Sequence, residues 1–177
     1  CCSEDSAIGR KHNLAGDMLV IRVTQKHDFT KRSTVDKVIR CVRSPHTDLW
    51  YSSPCTAGCS FNRPGGPNWK KGDATRLKIL ANWKLHTLLW NGWKRLAAHA
   101  ARLGATLTIE WANDSQLHRL HYVRDFVQKY NMKRFKAAGC VFGLKSIIPS
   151  TRGLPLCDAW GIWTNSDSLC AALNDPG

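Results

Sequence analysis

The run Asp48 to Ser60, DLWYSSPCTAGCS, sets a cysteine where a short apolar segment ends. Leu49, Trp50 and Tyr51 suit a pleated, buried strand, and Pro54 cannot donate to a ladder, so pairing stops just before Cys55. A thiol at the carboxyl end of a strand stands where open α/β sheets hold their ligands. It is equally the place for an ordinary small apolar residue, which is what most free cysteines are. The second chemical group is Glu110, near the end of the β-branched run TLTIEW at 106–111. The ends of parallel strands share one rim. There a thiolate beside a carboxylate able to hydrogen-bond a heterocycle suits attack on a pyrimidine ring, with Cys55 as nucleophile and Glu110 steadying charge on nitrogen. The plain alternative for Glu110 is a strand-end acid paired with a nearby Lys or Arg.

The elements that would position these groups follow in order. MLVIRV at 18–23 has the length and β-branching of a central strand. Ser33, with Asp36 three residues on, gives a capping-box-like start to a helix over 34–43, and Val35, Val38, Ile39 and Val42 form its apolar face. Strand, helix and then the strand at Asp48 is the sign of a parallel crossover. The loop 56–73 gathers Gly58, Gly65, Gly66, Gly72, Pro64 and Pro67 with Arg63, Lys70 and Lys71, and loops of this length are functional or disordered. A long helix over 74–103 is expected to turn Leu77, Ala81, Leu85, Leu88, Leu96 and Leu103 to one side and to stop at Gly104. A strand at 106–111, a helix over 116–130 with Leu120, Val123 and Val127 inward, a strand in 133–142, a last strand at 160–164 and a Ser166-capped helix complete the chain. The expected fold is α/β: one domain spanning 1–177, with a mainly parallel Rossmann-like sheet and helices on both faces. The chain starts at Cys1 without a methionine, so it reads as a domain excised from a longer chain and lacking its first strand.

Composition narrows the partners. Lys and Arg number 26 against 13 Asp and Glu, a formal charge of +13 spread from Arg10 to Arg152. A surface so charged attracts DNA or RNA. Arg63, Lys70 and Lys71, with Lys145, are the candidate phosphate contacts, and Trp69 in the basic loop is the aromatic placed to stack a base. The other tryptophans on the long helix, Trp83, Trp90 and Trp93, read as core. Eight cysteines without a signal peptide or a dense framework read as reduced thiols in an intracellular protein, cytoplasmic or nuclear. No apolar run has the length of a membrane span. A zinc site from Cys55, Cys59, His118 and His121 is disfavoured, since only one cysteine pair is closely spaced, and the histidines read as helix surface.

SSPCT at 52–56 resembles the Pro-Cys loop of cytosine-C5 methyltransferases, and the strand ending in Glu110-Trp111 is similar in placement to that family's Glu-Asn-Val segment. CCSEDSAIG, VIRVT, DLWYSSPCT, IEW and GCVFGLKS together look closest to methyltransferase-like domains of retroelement-type polyproteins. The resemblance implies a nucleic-acid cytosine methyltransferase-like domain using S-adenosylmethionine. Cys55 and Glu110 would be its catalytic pair, and Ser3, Asp5, Asp28 and Pro54 would lie at the cofactor. The other domains of a longer polyprotein would be its partners. The sequence departs from the family where the Gly-rich cofactor loop is absent, Thr56 stands where Gln is usual, and Trp111-Ala112 replaces Asn-Val. Those departures favour an alternative of another class: a catalytically inactive, basic nucleic-acid-binding module.

Overall fold

The computed structural model describes residues 21, 23–146 and 148–174. Four helices, α1 (Arg32–Cys41), α2 (Asp73–Arg102), α3 (His121–Lys129) and α4 (Asp167–Asn174), accompany four strands, β1 (Asp48–Tyr51), β2 (Thr106–Ala112), β3 (Lys133–Ala138) and β4 (Ala159–Thr164). The class is α/β. The sheet is not mainly parallel, however: among the described residues its order is β1-β2-β4-β3, and there only β1 and β2 pair in parallel. β4 is antiparallel to both β2 and β3, between which it inserts. The physical reason lies in the connection after β3. No helix follows it to carry the chain back across the sheet; the chain turns on itself through short 3-10 turns and returns beside β3, which only an antiparallel pair allows. Most of the expected strand at 18–23 lies outside the described residues, and Ile21 and Val23, which are described, are exposed and in no strand.

β1 alternates exposed and buried residues, as expected of a half-buried strand, whereas β2 also buries Thr108, which bonds Thr164 across the sheet. Leu49 and Tyr51, with Leu107, Ile109 and Trp111, enter one core with α2 and α3. Thr108 and Glu110 point to the opposite face. Helix α1 begins at Arg32 rather than at a Ser33 cap, with no side-chain cap bond. Asp36 is drawn elsewhere, to Arg95 of α2 at 2.7 Å. Gly92 lets α1 approach α2, because a Cβ there would lie 3.0 Å from both the Phe29 carbonyl and Val35.

The buried face of α2 is not the expected one, of whose named residues Leu96 alone is buried while Ala81 and the other leucines are exposed. Leu77, Leu80, Leu85 and Leu88 are 67%, 52%, 41% and 42% exposed, and Leu103 is also exposed, whereas Ile79, His86, Trp90, Trp93, Leu96, Ala97 and Ala100 are buried. Size decides the rotation. A buried tryptophan removes on the order of 150–250 Å² from water, about 4–6 kcal/mol at 25 cal/mol/Å², against about 1.5–3 kcal/mol for a leucine. Trp90 and Trp93 also join Tyr51, Trp111 and Phe126 in ring contacts, with Tyr51 stacked on Trp93 at 5.0 Å. The indole N–H groups of both tryptophans lack acceptors among the described residues. That costs about 1–3 kcal/mol each and does not reverse the preference.

Candidate nucleic-acid interface

β1 ends at Tyr51, and Pro54 introduces a 3-10 turn over Cys55–Gly58. The strand exit is tied to β2 by Trp111, whose Nε1–H donates to Ser53 Oγ at 3.1 Å. Beyond it the turn packs against α2 and against a second 3-10 turn, Gln116–Arg119. Gly58 is required there, since a Cβ would collide with Ser115 Oγ and Leu117. Cys55 and Pro54 stand exposed on this turn, while Ala57 beside them is buried in the core. Glu110 lies within β2, opposite Ile162, on the face away from that core. The parallel register Asp48↔Thr106 to Tyr51↔Ile109 therefore sets the two segments side by side, while strand alternation sends Glu110 to the other side of the sheet from the turn bearing Cys55.

The basic loop is held by side-chain amides. Asn62 Nδ2 donates to the Thr56 carbonyl at 2.8 Å, and Asn68 Nδ2 donates to Asn62 Oδ1 at 2.8 Å. Gly66 closes the tip, its N–H donating to the Arg63 carbonyl at 2.8 Å. Arg76 anchors the far end: its Nε–H donates to the Trp69 carbonyl at 3.0 Å and its guanidinium sits 5.9 Å from the Trp69 ring. Trp69 is thus half-buried and engaged, while Phe61 is 57% exposed on the same loop as Arg63, Lys70 and Lys71. Phe61 is the exposed aromatic that the sequence reading missed. Its neighbour Asn62, buried and bonded in both directions, is what turns it outward.

Ion pairs among the described residues are Lys31–Asp28, Arg32–Asp36, Arg76–Asp73 and Arg95–Asp36. Arg63, Lys70, Lys71 and Lys145 are in none of them and are exposed. Lys145 lies apart from the basic loop in sequence, in the β3–β4 connection, bridged to Pro155. Asp28, with φ +42°, is occupied locally: Thr30 Oγ1 donates to its carboxylate and Lys31 approaches it at 3.1 Å. Those bonds hold its carboxyl below the usual value. Ser3 and Asp5 lie outside the described residues.

A second feature was not legible in the sequence. Asn113, Asp114, Ser115, His118, Arg119, Arg134 and Trp163 line a cavity of about 270 Å³ just past the end of β2. Arg134 is positioned by bonds from one guanidinium nitrogen to the Asn113 carbonyl and to Asn113 Oδ1, each 3.1 Å, and sits 5.9 Å from the Trp163 ring. Arg119 is exposed and unpaired among the described residues. His118 is buried rather than on a helix surface, and burial holds its pKa below the usual value. His121 is exposed and opens α3. No group of three or more His, Cys, Asp or Glu side chains among the described residues is placed to hold a metal ion. No helix among them is long and apolar enough to cross a membrane.

No family model matches the chain, and no curated protein and no solved structure is detectably similar to it.

Proposed function

We propose that this chain is a basic nucleic-acid-binding module. The observation that supports it is the loop between β1 and α2, where an amide-braced backbone presents the exposed Phe61 beside Arg63, Lys70 and Lys71, which form no ion pair among the described residues. Aromatic faces stack on bases of any sequence and the cations track phosphate, which is the composition of a single-strand platform. Arg119 and Arg134 at the end of β2 add cations on a second element. In this reading the protein works within a longer polyprotein, inside the cell. Fluorescence anisotropy with labelled DNA and RNA oligonucleotides between 50 and 200 mM salt is the test, since log affinity falls linearly with log salt by roughly 0.7–0.9 per phosphate contacted. Binding that weakens steeply with salt, and weakens less steeply in Lys70→Ala/Lys71→Ala, supports the module; no binding at low salt overturns it.

One observation favours a second reading, a cytosine methyltransferase-like enzyme: the one parallel pair of the sheet joins the two segments that carry Cys55 and Glu110. Two described features weigh against it. Glu110 alternates away from the face on which the Pro-Cys turn packs, and each oxygen of the Asp28 carboxylate already has a local partner, Thr30 or Lys31. Transfer of radiolabelled methyl to mixed DNA and RNA, abolished by Cys55→Ala, would establish the enzyme; absence of label from the wild type would leave the binding module alone.

A further inference from the structure

Cys140 and Cys157 face one another at the root of the connection between β3 and β4. The ladder pairs Ala138 with Ala159. It continues one step, with Gly139 N–H donating to the Asp158 carbonyl at 3.2 Å. The next residues outward on the two arms are Cys140 and Cys157. Past them the arms are joined again, Leu156 N–H donating to the Leu144 carbonyl at 2.9 Å and Ser146 N–H to the Leu154 carbonyl at 2.9 Å. Backbone bonds therefore bracket the thiols on both sides. Gly139 keeps the arms close, because a Cβ there would lie 2.7 Å from the Leu156 carbonyl and 3.0 Å from the Trp160 ring. Both cysteines are free, Cys157 exposed and Cys140 half-buried. The Cys140 sulfur is the neighbour that does most to hold the Cys157 thiol above its usual pKa. The ladder itself stops at Ala138, because Cys140 sits in the 3-10 turn Gly139–Phe142, so a disulfide, which spans roughly 4.4–6.8 Å at Cα, would bridge that turn to the Cys157 arm.

We propose that Cys140 and Cys157 are a reversible redox modification site: a disulfide between them staples the β3–β4 connection when a low-molecular-weight disulfide such as oxidised glutathione is the oxidant. The Cys157 thiolate attacks one sulfur of the oxidant; the oxidant's S–S bond breaks, a mixed disulfide forms, and one glutathione thiolate leaves. The Cys140 thiolate then attacks the Cys157 sulfur and expels the second glutathione. Two protein thiols are oxidised and one glutathione disulfide is reduced to two thiols, the protons passing from cysteine to glutathione. The staple holds a segment that carries the exposed cations Lys145 and Arg152.

The experiment treats the folded chain with excess oxidised glutathione, alkylates the remaining thiols and maps the peptides by mass without reductant. The expected result is a linked Cys140–Cys157 peptide in the wild type and, in Cys140→Ser, a glutathione retained on Cys157. A wild type that keeps glutathione on Cys157, or that links Cys157 to another cysteine, overturns the proposal. A second measurement needs no variant. A limited tryptic clip after Arg152 in the treated wild type should give fragments that stay joined on a denaturing gel until reductant is added. Fragments that separate without reductant overturn it as well.

Discussion

The indole Nε1–H of Trp163 donates to Nδ1 of His118 at 3.1 Å, which leaves Nε2 to carry the ring's proton and donate it to the Ala112 carbonyl at 3.0 Å. His118 is thereby a neutral brace joining β4 to the turn after β2. It is not a free base. Replacing it with alanine leaves a part-buried indole N–H and a part-buried carbonyl without their partner, so His118→Ala should lower stability by about 1–3 kcal/mol. Urea titration checks this: the midpoint should fall with the slope unchanged.

His86 is buried at 2% exposure among Trp83, Trp90, Trp111 and Tyr122, with both ring nitrogens unpartnered among the described residues. Burial pushes its pKa down to about 4. The folded state thus disfavours the protonated ring, which the unfolded chain takes up near pH 6.5. Stability is fully present above that pH and is lost as pH falls toward 4, by roughly 2 kcal/mol at pH 5 and about 3 kcal/mol at pH 4. His118, shifted in the same direction, adds to the loss. Thermal unfolding followed by circular dichroism from pH 7.5 to 4.5 should show the fall, and His86→Phe should flatten it. A curve equally steep in that variant would place the acid sensitivity elsewhere.

Charge changes at the cavity past β2 should act in opposite directions on nucleic-acid affinity. Arg119→Gln removes an exposed cation and should weaken binding of a short oligonucleotide several-fold at low salt; Asp114→Asn removes an acid lining the same cavity and should strengthen binding. Both effects should shrink at high salt. Titration calorimetry reads them, and a reversed pair of signs would mean that the cavity prefers cations.

Gly58 is where the Pro-Cys turn touches the turn after β2. A methyl there meets Ser115 and Leu117, both buried, so Gly58→Ala should cost about 1–3 kcal/mol. The turn should shift with it, raising the alkylation rate of the half-buried Cys59.

The apolar spacing made most elements legible. α2, expected over 74–103, runs from Asp73 to Arg102, β1 and β2 fall within a residue of their expected spans, and the Ser166 cap is seen in Leu169 N–H donating to Ser166 Oγ at 3.3 Å. Trp90 and Trp93 are core, as expected of them. Chain-local signals misled where two faces of one helix were both apolar. Counting leucines on α2 chose the wrong face, because burial weighs area and the tryptophans, with Tyr51 across from them, had more of it to hide. The apolar spacing over 116–130 predicts one helix, but the stretch breaks at Leu120, whose extended backbone separates the 3-10 turn from α3 and turns His118 inward.

By itself the sequence determined most of the described strands and helices, the excess of cationic residues, and the loop where aromatic and basic residues gather, since periodicity, charge and Gly/Pro spacing are local properties. Strand direction, the side of the sheet on which Glu110 lies, the cavity that brings Arg119 to Arg134, and the meeting of Cys140 with Cys157 were decided only by tertiary structure. Each depends on how segments distant in the chain pair. A single antiparallel return of β4 between β2 and β3 sets the sheet order, and with it which side chains share a face.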